Sequence, residues 1–81
     1  MTKAEVLAKL QDVFDSTFVE TVIVTEELSA NDVEEWDSLS HITLIVSVEK
    51  SFGIRFGLGE VESTRNVGEL ADLIVKKVGA A

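Results

Sequence analysis

The chain contains no cysteine. That excludes a disulfide framework, a thiolate zinc site and a thiol nucleophile supplied by the polypeptide itself. Long apolar runs are missing too. The opening MTKAEVLAKLQDVF mixes charge into its apolar residues, and no segment approaches the roughly 18 apolar residues of a membrane span. A soluble cytoplasmic protein is the resulting expectation. Basic residues are few: seven Lys and Arg stand against 15 Asp and Glu, for a net charge of −8, and none lies between Lys9 and Lys50. Phosphate backbones are bound by clustered basic side chains, so nucleic acid is excluded as a partner. An acidic surface suits proteins with basic docking patches, reached by steering that salt weakens, and it equally serves solubility alone. With one histidine, His41, a transition-metal site would rest almost wholly on carboxylates. The acids of TEELSANDVEE do not follow the calcium-loop pattern, and Glu62 stands where a dinucleotide fingerprint begun by Gly57 and Gly59 needs its third glycine. No metal site and no nucleotide site are expected.

What the chain does have is amphipathic periodicity. Its 81 residues, 46% of them hydrophobic, suit one domain over residues 1–81 with a single modest core. A chain of this size buries roughly 60% of its unfolded surface, too little for a deep enzyme cleft. Val6, Leu7, Leu10, Val13 and Phe14 recur at helical spacing behind a Thr2 and Glu5 capping box. Leu39, Ile42, Ile45, Val46 and Phe52, widened by Leu44 and Val48, predict a second helix over residues 38–52 that stops at Gly53. Val67, Leu70, Ala71, Ile74, Val75 and Val78 predict a third, with Asn66 and Glu69 spaced as a capping box, Lys76 and Lys77 in its last turn and Gly79 as its terminator. TFVETVIVTEE reads as a strand by propensity, yet no second strand exists to pair with it. Residues 17–36 are therefore expected to form a long ordered loop whose apolar side chains cover the bundle. A short helical turn is expected around residues 58–62. The fold class is all-α, a small helical bundle.

Asp37, Ser38 and His41 open the second helix and invite a catalytic reading. Ser38 and His41 share a helix face, but Asp37 precedes the helix and does not orient the far side of the imidazole, and nothing supplies an oxyanion site or a pocket. No catalytic residue is assigned; His41 reads as a polar residue near a helix start, exposed or hydrogen-bonded. A serine at a helix N-terminus, by contrast, lies where unsatisfied N–H groups and the helix dipole favour negative charge, so a phosphate attached there would be stabilised. Asp37 is the natural cap, and Ser38, read from the residues alone, is more simply a second-choice capping residue than a modified one.

The stretch WDSLSHITLIVSVEKSFGIRF, together with the first helix upstream and VGELADLI near the C-terminus, resembles the acyl carrier protein family across nearly the whole chain. The resemblance implies a four-helix bundle, three longer helices and one short one, with a long first loop. It implies that Ser38 carries 4'-phosphopantetheine, installed from coenzyme A by a magnesium-using phosphopantetheinyl transferase, and that acyl groups ride on the arm's thiol as thioesters, so that a cysteine-free chain still takes part in thiol chemistry. Asp37 would assist transferase recognition and magnesium, and Leu39 would contact the transferase and later enzymes. The protein would not be an enzyme. Acting as a monomer, it would present its cargo to ketosynthases, acyltransferases or acyl ligases of fatty-acid, polyketide or related specialised biosynthesis. Housekeeping members line the exposed face of this helix with acids; here the matching positions are Ser40, Thr43, Val46, Glu49 and Lys50, and only Glu49 keeps the charge. These five are the expected docking residues, with the loop acids Glu26, Glu27, Asp32, Glu34 and Glu35 gaining weight in compensation. Trp36 resembles stand-alone carriers of specialised pathways; equally it reads as a packing anchor whose indole N–H needs a partner. The competing reading is a small helical protein-interaction domain without the prosthetic group, with Ser38 as a plain cap.

Overall fold

The computed structural model describes residues 1–57 and 59–79. Helix α1 spans Lys3–Thr17, α2 Ser38–Phe52 and α3 Val67–Gly79, and a single 3-10 turn, Ala30–Asp32, interrupts the first loop. No strand occurs among the described residues, so the all-α expectation holds. Among the described residues the one short helical element lies in the first loop and not in the second. Of the stretch 58–62, Leu58 lies outside the described residues, and the residues that follow form successive turns closed by Ser63 N–H to Gly59 O and Thr64 N–H to Val61 O.

Local chemistry explains the helix ends. Thr2 Oγ1 accepts the Glu5 N–H at 3.2 Å while the Glu5 carboxylate accepts the Thr2 N–H at 2.9 Å, a reciprocal capping box. Asn66 caps α3 through the Glu69 N–H at 2.9 Å, but the Glu69 carboxylate reaches past Asn66 to the Arg65 N–H. Gly53, at φ 66°, ends α2 in the left-handed conformation.

Helix α1 packs against both α2 and α3. Val6, Leu10 and Phe14 from α1, Leu44 and Val48 from α2, and Val67, Ala71 and Ile74 from α3 are sealed from solvent. The periodic set of α2 divides between core and solvent: Leu39 is 78% exposed, Ile42 62% and Val46 44%, and the fully buried residues of α2 are Leu44 and Val48. Apolar residues ring most of this helix, so spacing alone does not say which flank meets α1. The core takes one flank and leaves a second apolar flank in solvent, starting beside Ser38.

The first loop is ordered by side chains that replace a missing strand partner. Val22 is buried and Val24 half-buried, while Thr21, Ile23 and Thr25 face solvent, the two-residue alternation of an extended segment. The Gln11 amide on α1 donates to Val22 O at 2.7 Å and accepts the Val24 N–H at 2.9 Å, so one side chain supplies both halves of a ladder contact. Further along, Val67 N–H donates to Leu28 O and Gly68 N–H to Glu26 O, so the loop's carbonyls receive the first amides of α3. A Cβ at Gly68 would lie 3.0 Å from both the Cβ and the carbonyl oxygen of Glu26, which makes glycine the residue that lets loop and helix meet. Among the described residues, no helix is long and apolar enough to cross a membrane.

Candidate functional site

Ser38 is the first residue of α2 and is exposed. The cap is Asp37: its carboxylate accepts the Ser40 N–H at 2.9 Å. That bond, with the Leu39 amide also facing the group, holds the Asp37 carboxyl below its ordinary range and therefore ionised. The natural cap by residue type thus takes that place, and Ser38 does not serve as a second-choice one. Its hydroxyl has no hydrogen-bond partner among the described residues, and it borders a recess of about 540 Å³ with Ala30, Trp36, Asp37, His41 and Ile42. An exposed hydroxyl at a helix N-terminus, opening on a groove with an apolar rim, fits a phosphodiester-linked chain that starts at the serine and lies along the surface.

His41 is not part of a triad. Trp36 Nε1–H donates to His41 Nδ1 at 3.0 Å and the two rings stack with centroids 6.1 Å apart, while Asp37 is committed to Ser40. No hydrogen bond joins Ser38 to His41 among the described residues. The indole also meets Phe14 edge-on at 5.3 Å and Phe18 at 6.2 Å. Trp36 is therefore the anchor by which the residues before Ser38 grip the core, and His41 is the partner that its N–H requires.

The five expected docking residues separate by environment. Thr43, Val46 and Lys50 are exposed; Ser40 and Glu49 are half-buried. The Glu49 carboxylate accepts the Phe56 N–H at 2.9 Å and so ties α2 to the second connection. Ile42, not among the expected docking residues, is more exposed than Val46 and joins it to Leu39 in one apolar strip. The signal for it in the sequence is its position one turn beyond Leu39. The loop acids are partly engaged as well. Glu35 accepts the Val19 and Glu20 amides at 3.2 and 2.9 Å, Asp32 accepts the Ser29 N–H at 3.0 Å, and Glu26 pairs with Lys3 at 2.6 Å. Glu27 and Glu34 are exposed.

No protein-family model matches the sequence. Individual relatives do. The acyl carrier protein of Acidothermus cellulolyticus is 30% identical over 100% of this chain and 98% of its own length. That of Rubrobacter xylanophilus is 34% identical over 94% of this chain and 95% of its own. The solution structure of the holo acyl carrier protein from Geobacter metallireducens superposes with a TM-score of 0.77 at 44% identity, covering 98% of this chain and 87% of that one. The chain belongs to the acyl carrier protein family.

Proposed function

We propose that this chain is an acyl carrier whose Ser38 is esterified by 4'-phosphopantetheine from coenzyme A. The observation that supports it most directly is the division of labour at the start of α2. Asp37 does the capping, which leaves the Ser38 hydroxyl exposed and unpaired beside a groove. A serine kept only as a cap would be spending its oxygen on the helix. The arm, once attached, supplies a thiol on which acyl groups are held as thioesters. The protein's own residues do the rest. The amides of the first turn favour the negative charge at Ser38, Asp37 offers an ionised carboxylate to the transferase and its magnesium, and Leu39 offers apolar contact. With His41 held by Trp36, the chain presents cargo and does not transform it.

The reading extends over residues 1–81 as one cytoplasmic, monomeric carrier domain. Its partners are a phosphopantetheinyl transferase and the acyl-loading and acyl-processing enzymes of fatty-acid, polyketide or related specialised biosynthesis. They would meet the strip of Leu39, Ile42 and Val46, with Thr43 and Lys50 on its flank; Ser40 and Glu49 lie at its half-buried edge. Because that strip is apolar, the partners are expected to answer it with apolar surface and not with a dense basic patch.

Incubation with coenzyme A, magnesium and a promiscuous transferase tests the reading. The intact mass should rise by one phosphopantetheinyl group, and Ser38→Ala, which leaves the Asp37 cap in place, should remain folded and gain nothing. A wild-type protein that stays unmodified with several transferases overturns it.

A further inference from the structure

His41 borders three recesses at once. One, of about 540 Å³, also contains Ser38. A second, of about 140 Å³, runs between the first loop and the start of α3 past Val61, Arg65 and Leu70. The third, of about 250 Å³, runs along α2 past Ile45 and Phe56 to Val61 and Glu62. No other residue borders all three among the described residues, so a chain leaving Ser38 for either inner recess passes this imidazole.

The tautomer of that imidazole is fixed from outside. Nδ1 accepts the Trp36 indole N–H, so the ring hydrogen of the neutral histidine sits on Nε2. Among the described residues Nε2 has no partner, and the ring is half-buried and stacked on the indole, which is itself held by Phe14 and Phe18. A rigidly mounted donor without an acceptor, one helical turn from the attachment serine, is poised for an oxygen.

On the carrier reading, we infer that His41 is a positioning residue. Its Nε2–H donates to an oxygen of the group attached at Ser38 and draws that group into the groove between α2 and the 53–66 connection. The oxygen belongs either to the phosphodiester or to an amide carbonyl of the arm.

The chain has one histidine, one tryptophan and no cysteine, so each reporter is unique. The ring 15N signals of His41 and the indole N–H signal of Trp36 are compared in three proteins: unmodified, enzymatically holo, and Ser38→Cys alkylated by an S-methylpantetheine that carries an iodoacetyl group at its 4'-end, which keeps the amides in their native order but has no phosphate. A shift of the His41 Nε2 signal in both loaded forms assigns the oxygen to an amide, and a shift in the holo form alone assigns it to the phosphodiester. No shift in either overturns the inference. Because the alkylated form needs no transferase, failure of enzymatic loading would count against the carrier reading alone. As a second readout, alkylation of the arm's thiol in the holo protein should be severalfold faster in His41→Phe than in wild type. His41→Gln, which both accepts and donates, should restore the slower rate. Equal rates in folded wild type and His41→Phe would also overturn it.

Discussion

Asp37 is the residue that sets the electrostatics at the start of α2. Its carboxyl titrates below the ordinary value of 3.8 because the Ser40 N–H donates to the charged form. A carboxyl depressed in the folded state adds stability that is fully present above 3.8 and is lost as the pH falls through the lower folded value. Asp37→Asn keeps a capping oxygen without the charge. Its thermal midpoint should therefore fall less than that of wild type as pH is lowered from neutral into the acid range below 3.8, and parallel curves would contradict this. Trp36→Phe isolates a second single-atom contribution. The packing on Phe14 and Phe18 is largely kept while the N–H to His41 goes. A loss of roughly 1 kcal/mol in denaturant unfolding is expected, the scale of one net hydrogen bond.

Helix α2 has two apolar flanks with different duties, and substitution separates them. Leu44→Ala removes a side chain with no exposed surface and should cost about 2 to 5 kcal/mol. Leu39→Ala should change stability by less than about 0.5 kcal/mol, while transferase modification slows. Where the first loop meets α3, Gly68→Ala drives a Cβ against the Glu26 backbone and should cost about 1 to 3 kcal/mol by the same unfolding measurement. These elements also show what the sequence makes legible. The N-terminal caps of α1 and α3 follow from polar residues at fixed offsets, because capping is local. Gly53 marks the end of α2 for the same reason. The inward flank of α2 is not legible, because its apolar residues nearly encircle it and α1's position decides. Nor do spacing rules reveal that Gln11 supplies the strand-like segment with its ladder, that Glu35 and Glu49 are bound to loop amides, or that His41 answers Trp36. Each joins residues that only the folded chain brings together.

At the scale of the whole molecule, an acidic surface surrounds an apolar strip that begins at an exposed serine. The net charge of −8 acts at a distance, and the strip acts in contact. Raised salt should therefore weaken only the long-range part, slowing association with a partner enzyme while changing dissociation from the apolar strip little, a split that stopped-flow binding resolves. A chain of this size buries a modest core and has little stability in reserve. The central claim, that Ser38 bears a phosphopantetheine arm, is tested most directly by mass spectrometry of the intact protein isolated from its native cells, followed by fragmentation across residues 34–53. The account predicts a phosphopantetheinyl group located on Ser38, bare or extended by the mass of an acyl group. An unmodified chain, or a modification on any other residue, would contradict it.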